Sequence, residues 1–338
     1  MAEPAGGAAP GRVLVINVSR IGDTLLATPA IRALAEAWPD ARLEVLAHPR
    51  RFEVLQHLSF VANCGAITKQ RARLRGWLGV RRWDLAVVYG FDRALVAYAL
   101  RVANRVAAFR QGDASLDARL APAVDYPPPQ SRHAVDYAFA LTRALGVPDA
   151  GRRLAYRVTE DEKSWARARL AGENLRGKPL VGLQIASFPT KGYRDWPLEH
   201  FAQLAQRIAG RWPEARFLLF GGALERSKTA ALASLLQGKA VSFAGRLRLR
   251  ESAALMNELD LYVGVDTGPT HIMGALEAPM VALYHCHSPS RLLAPLERPR
   301  CYAVDHPRAA QGCGPETPMA ELGVDAVWDR VQEALAGR

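Results

Sequence analysis

From Arg12 onward, short aliphatic or β-branched runs alternate with longer stretches whose apolar residues recur at helical spacing. That pattern predicts strand–helix–strand units around parallel sheets, the α/β class. A first strand is expected over residues 13–18 and a first helix over 23–38, with Leu25, Leu26, Ile31, Leu34 and Ala35 on one face and Pro39 and Asp40 ending it. Further strands are expected over 43–47, 85–89 and 105–109. Residues 110–130 contain Pro122, Pro127, Pro128 and Pro129, which fit neither a helix interior nor a central strand, so this stretch reads as a long irregular loop. After a helix over 131–146 and a connection at 147–151 and near Thr159, the alternation restarts. Strands are expected over 180–186, 216–220, 241–243, 261–265 and 280–284, with helices between them.

Two doubly wound halves therefore follow one another, and in such folds ligands bind beyond the carboxyl ends of the strands. The expected division is a tail over 1–11, an N-terminal Rossmann-like domain over 12–155, a C-terminal one over 156–323, and a last helix over 324–338 able to pack back on the N-terminal domain.

The length of 338 residues suits two domains, and 49% hydrophobic with 23% charged residues excludes a disordered or fibrous chain. Forty-four basic against 33 acidic residues give a net charge of +11, and 38 of the cations are arginine. Planar guanidinium groups suit phosphate or carboxylate recognition, although compositional bias produces the same skew. Cys64, Cys286, Cys301 and Cys313 lack any CxxC spacing and read as reduced thiols of a cytoplasmic protein, not as a disulfide frame or zinc cluster. The opening residues lack the basic start and apolar run of a signal peptide, and no run approaches the roughly 18 apolar residues of a membrane span. Membrane contact is thus expected only as peripheral contact with the cytoplasmic face of the inner membrane. Lys69, Arg71, Arg73, Arg75, Arg81 and Arg82, with Trp77 and Leu78 between them, read either as a solvated face or as a patch for an anionic acceptor or lipid surface. No nucleic-acid-binding motif accompanies the charge, so no such partner is expected.

The loops narrow the chemistry. There is no GxxxxGK[ST], no three-glycine dinucleotide fingerprint, no GxSxG, no HExxH and no Asp-x-Asp pair, so neither a cofactor nor a metal is expected. Asp23 follows the first strand, either as a first-turn carboxylate favoured by the helix dipole or as a general base. The run Asp266, Thr267, Gly268, Pro269, Thr270, His271 passes from strand into helix, with Pro269 suited to a first helical turn. It is either an ordinary capped turn or a diphosphate site at a helix N-terminus. Ser187, Thr190, Lys191 and Arg194 lie in the loop after the strand at 180–186, where the two cations are either solvated or neutralise a leaving phosphate. Glu225 and Leu247 follow the next two strands, as candidates for ribose hydroxyls and a base edge.

At these residues the sequence resembles the bacterial heptosyltransferase family, glycosyltransferase family nine, from Arg12 to about Leu335. The marks are Ser19-Arg20-Ile21-Gly22-Asp23-Thr24-Leu25-Leu26, the stretch from Lys191 to Trp196-Pro197, and Asp266-Thr267-Gly268-Pro269-Thr270-His271. The resemblance implies the GT-B architecture with an interdomain cleft and an inverting, metal-independent transfer from a nucleotide-sugar donor, ADP-heptose foremost, to an anionic lipid-linked glycan of the lipopolysaccharide core. It also implies Asp23 as base, Lys191 or Arg194 as phosphate cation, Glu225 on the ribose, and Asp266, Thr267, Gly268 and His271 at the donor sugar and diphosphate. A nucleotide-sugar epimerase or a non-catalytic donor-binding protein are the alternatives. The family's Phe-Gly-Pro-Thr-like turn is replaced here by Tyr284-His285-Cys286-His287-Ser288-Pro289.

Overall fold

A computed structural model describes residues 8–77, 80–173 and 175–336. Residues 1–7 of the expected tail, and Leu78 of the basic stretch, lie outside the described residues. The chain divides into two units, with the boundary between Arg157 and Val158.

Unit 1 contains β1 (Arg12–Asn17), α1 (Ile21–Leu26), α2 (Thr28–Ala37), β2 (Arg42–Ala47), β3 (Asn63–Ala66), α3 (Lys69–Leu74), β4 (Trp83–Tyr89), α4 (Arg93–Val102), β5 (Ala103–Phe109), α5 (Ala114–Asp117), β6 (Ala123–Val124) and α6 (Ala134–Ala144). Its strands form one parallel sheet in the order β3-β2-β1-β4-β5-β6. Val13, Leu14, Val15 and Ile16 of β1 are fully buried. Covering on both faces is why this strand is a continuous apolar run with no alternation.

Unit 2 contains α7 (Glu160–Gly172), β7 (Leu180–Gln184), α8 (Leu198–Arg211), β8 (Arg216–Phe220), α9 (Arg226–Leu235), β9 (Ala240–Ser242), α10 (Leu249–Asn257), β10 (Leu261–Val265), α11 (Gly268–Ala275), β11 (Met280–Tyr284), α12 (Ser290–Leu293), β12 (Cys301–Asp305) and α13 (Val324–Ala336). Its sheet runs β12-β11-β10-β7-β8-β9, again parallel. In each sheet the order reverses beside its first strand, between β1 and β4 and between β7 and β10. Such a switch point opens a crevice at the carboxyl ends of those two strands.

The structure departs from the sequence pattern in places with clear physical causes. The helix expected over 23–38 is two helices meeting at Ala27. Pro29 has no N–H to give Leu25, whose carbonyl instead accepts the Thr28 hydroxyl at 2.6 Å. The loop at 110–130 contains α5 and the two-residue β6. The pattern also passed over β3, α4, α7 and β12; β12 is a partly exposed strand whose CYAVD run carries little periodic signal. The apolar face of α13, with Val327, Val331 and Ala334 fully buried, packs in the core of unit 2.

The cysteine expectation needs correcting. Cys286 and Cys313 form a disulfide across 27 residues of chain, with Cα atoms 5.7 Å apart, while Cys64 and Cys301 are free. The cause is topological: β11 and β12 are parallel neighbours with Tyr284 opposite Asp305, so the loops leaving their carboxyl ends run side by side. Burial pushes the two free thiols up to about 11.

Candidate functional site

At the switch point of unit 2 the loop after β7 meets the loop after β10. Asp266 is 2% exposed, and its Oδ2 lies 2.5 Å from Nη1 of Arg194. This approach is not aligned as a hydrogen bond, so the oxygen has an ion-pair partner and no aimed donor. The other carboxylate oxygen lies 3.4 Å from Nε2 of buried His271. Arg194 also donates to the Ser288 hydroxyl at 3.0 Å and lies over the Tyr193 ring, 5.5 Å from its centroid. Burial acts to raise the Tyr193 hydroxyl, but hydrogen bonding with Ser288 and Arg194 and the charges of Arg194 and Lys191 bring it below its ordinary value. The Lys191 ammonium stands 5.6 Å from the same ring centroid. Three loops thus converge on one guanidinium.

Helix α11 begins next to this cluster with Thr267 as its extended N-cap, Pro269 in its first turn, and no side-chain hydrogen bond closing its end. Its leading amides remain available to an anion and carry the positive end of the helix dipole. The Thr270 hydroxyl, by contrast, is turned inward, 2.5 Å from the Val265 carbonyl and 2.9 Å from Tyr262. Gly264 makes room for that Tyr262 ring, since a Cβ there would lie 2.7 Å from the tyrosine oxygen. Buried polar atoms that make no hydrogen bond gather at the same strand ends: Gln184 Oε1, Asp266 Oδ2, which has only its ion pair with Arg194, His271 Nδ1 and Tyr284 Oη. Unsatisfied buried groups are uncommon and call for a polar ligand or water.

The remaining expected donor residues have mixed settings. The Ser187 hydroxyl bonds to Asp195 at 2.8 Å and to the Lys191 carbonyl at 2.6 Å, so it braces the loop. Thr190 is exposed in that loop. Glu225 accepts the Gly222 amide at 2.7 Å through one oxygen. Leu247 is half-buried between β9 and α10, beyond Gly245, whose φ of +64° and 2.8 Å clearance to the Ala223 Cα admit only glycine comfortably. Trp196 of the Lys191–Pro197 stretch is a packing residue, buried with its indole N–H donating to the Leu322 carbonyl at 2.7 Å. Sequence reasoning missed Tyr193, Asp195 and Ser288, and a Tyr-Arg-Asp run beside a strand end was the available signal.

In unit 1, Asp23 is the third residue of α1, not its cap, and its exposed carboxylate has no hydrogen bond or ion pair among the described residues. Asn17 and Tyr89 end the paired strands β1 and β4 opposite one another, and Asn17 Oδ1 and Tyr89 Oη are buried without a hydrogen bond. The basic stretch is partly a helix, α3, and Lys69 pairs with Asp92 at 2.9 Å. Leu74, Trp77 and Val80 are 83%, 70% and 84% exposed within it.

His285, Cys286 and Cys313 place potential metal-ligand atoms within 4.8 Å of one another. Cys313 joins this set from the loop after β12, a proximity that spacing along the chain conceals. As the two sulfurs are bonded to each other, neither is a thiolate ligand here.

The Arg194–Asp266 pair is buried enough to be read in stability. Arg194→Met alone should lower unfolding free energy by about 3 kcal/mol, because it strands a buried carboxylate. Arg194→Met combined with Asp266→Asn should cost clearly less than the two singles added, in urea unfolding. Additive costs would show that the ion pair does not hold these loops together.

The sequence profile of glycosyltransferase family 9 (heptosyltransferase) matches residues 72–313. The chain is 29% identical over 304 residues to lipopolysaccharide heptosyltransferase 2 of Salmonella typhimurium, covering 82% of this chain and 84% of that protein. A glycosyltransferase family 9 structure from Veillonella parvula superposes with a TM-score of 0.82 at 18% identity, over 97% of this chain and 98% of that one. The E. coli ADP-heptose lps heptosyltransferase II structure gives 0.78 at 20% identity, over 96% and 99%. With two parallel six-stranded sheets and these neighbours, the fold class is the GT-B class that the sequence implied. The chain belongs to glycosyltransferase family 9 (heptosyltransferase).

Proposed function

We propose that this glycosyltransferase transfers a heptose from ADP-heptose, with inversion, to a sugar hydroxyl on an anionic lipid-linked acceptor of the lipopolysaccharide core. The observation that carries the proposal is the open N-terminus of α11 beside Arg194, with Lys191 on the same loop and a set of buried polar atoms that make no hydrogen bond. Such a place suits a diphosphate, and the E. coli structural neighbour is named for ADP-heptose.

The donor diphosphate would lie against the amides of Gly268 and Thr270, with Lys191, Arg194, Thr190 and Thr267 around its oxygens. Ser187 would brace that loop. Glu225 keeps one oxygen free of Gly222 for a ribose hydroxyl, and Leu247 would flank the base. Asp266 and His271 would orient the sugar. Asp23 would take the proton of the acceptor hydroxyl as that oxygen attacks the anomeric carbon. The bond from that carbon to the phosphate oxygen breaks, and ADP leaves with the added negative charge. Preorganised cations and amides aimed at that charge lower the barrier by several kcal/mol.

The acceptor's membrane supports a further part of the reading. No helix among the described residues is long and apolar enough to cross a membrane. Exposed Leu74, Trp77 and Val80 among Arg71, Arg73, Arg75, Arg81 and Arg82 have the composition of a peripheral, anionic-lipid contact. Each such cation is worth about 1 kcal/mol near an anionic surface.

Asp23→Asn should lower kcat by roughly 100- to 10,000-fold while leaving the Kd for ADP unchanged. A variant keeping more than about a tenth of wild-type turnover would remove Asp23 from the base role. For the membrane contact, sedimentation with phosphatidylglycerol vesicles should retain the wild type but not Arg71→Glu/Arg73→Glu, and pure phosphatidylcholine should retain neither. Equal retention on both vesicles would contradict it.

A further inference from the structure

Four aromatic rings outside the donor machinery form a continuous cluster at the carboxyl edge of the unit 1 sheet. Phe91 follows β4, Phe109 ends β5, Tyr126 follows β6, and Tyr137 projects from α6. Tyr126 is the hub, edge-on to Phe91 at 4.7 Å and to Phe109 at 4.9 Å between ring centroids, and stacked on Tyr137 at 5.0 Å. Phe109 is buried and anchors the group, whereas Phe91 and Tyr126 are 55% and 42% exposed.

Exposure of two large rings costs solvation energy, yet the surroundings hold them rigidly in place. The Tyr137 hydroxyl donates to the Pro128 carbonyl at 2.7 Å. The Gln111 amide ties the Phe109 carbonyl at 2.7 Å to that of Gly90 at 3.4 Å, which fixes the turn presenting Phe91. Gly90 itself sits at a φ of +97°. A rigid, exposed aromatic surface built by four separate elements is a preformed recognition feature.

Its location identifies the ligand. β1 and β4 pair with Asn17 opposite Tyr89. Asp23 therefore leaves the sheet edge from one strand of the switch point, and Phe91 from the other. The Asp23 carboxylate is among the charges that raise the Tyr126 hydroxyl above its ordinary value, after burial and Tyr137. At the ends of the same two strands, the buried Asn17 Oδ1 and Tyr89 Oη make no hydrogen bond.

We propose that Phe91 and Tyr126 form a stacking platform for an acceptor sugar ring, holding its apolar C–H face so that a ring or side-chain hydroxyl is presented to Asp23. A pyranose has a face of aligned C–H bonds, which suits the negative face of an aromatic ring, and a rim of hydroxyls. The ligand class is thus a sugar with an uninterrupted C–H face, bound through shape and stacking, not an acid bound through cations alone. This inference rests on the transferase reading above but concerns the acceptor only.

Two measurements test it. In transfer assays with deacylated lipopolysaccharide-core oligosaccharide as acceptor, Phe91→Ala and Tyr126→Ala should each raise the acceptor KM at least fivefold, with the Kd for ADP unchanged. Phe91→Trp and Tyr126→Phe should restore it. In ligand-observed saturation-transfer NMR with methyl heptopyranoside, saturation should fall on the C–H protons of one ring face in the wild type and disappear in Phe91→Ala/Tyr126→Ala. The NMR measurement needs no turnover, so the platform is tested even if no transfer is found. An unchanged acceptor KM, equal saturation in wild type and variant, or variants whose main effect is a change of oligomeric state would overturn the platform. Loss of transfer in Asp23→Asn alongside normal KM values in the ring variants would overturn the platform and leave the base assignment standing.

Discussion

Asp266 ends the last turn before α11 with 2% of its surface exposed, and a carboxylate so placed requires a cation. Arg194 supplies it from the loop after β7, and in doing so holds Tyr193 and Ser288 within reach of the same guanidinium. The pair is less a source of net stability than a way of setting geometry, since burying two charges roughly cancels their attraction. What it sets is the mouth of α11. Lys191, the open helix amides and the unpartnered polar atoms take their positions from loops that this pair joins.

The two strands bearing those loops are neighbours only because the sheet order reverses there. In a doubly wound sheet neighbouring strands send their loops to the same side everywhere except at the switch point, where two loops lean apart to opposite sides and leave a crevice. The same reversal in unit 1 places Asp23 after β1 and the exposed rings after β4 and its neighbours. Each unit thus has one crevice for reasons of chain topology, and the side chains decide its chemistry. In unit 2 these are cations and helix amides, which suit phosphate. In unit 1 they are a carboxylate, aromatic rings and buried polar groups, which suit a sugar hydroxyl.

The sequence was most informative where elements are fully buried. β1, β7, β10 and β11 read as continuous apolar runs because both sheet faces are covered, and the loops following them could then be named. It was least informative at sheet edges, where β3, β6 and β12 are short or half-exposed and carry little periodicity. Among the site residues, Asp266, Gly268 and Arg194 were legible as strand-end chemistry. Thr270 looked like an anion ligand but faces inward, because only the register of α11 decides which hydroxyl points to Tyr262. The Cys286–Cys313 bond and the Phe91–Tyr126 cluster were invisible for a common reason. Each joins residues from different strand ends, and that proximity is created by the parallel pairing of strands, not by spacing along the chain.

On the proposed reading, unit 2 alone holds the nucleotide diphosphate, at the start of α11 and against the loop after β7. Amide hydrogen exchange of the wild-type protein with and without saturating ADP reads this directly, because bound ligand suppresses local opening where it contacts the chain. Slowed exchange is expected at Gly268, Thr270 and His271 and across residues 187–195, with unit 1 amides unchanged. Protection concentrated in unit 1, or unaltered exchange at the first amides of α11, would contradict it.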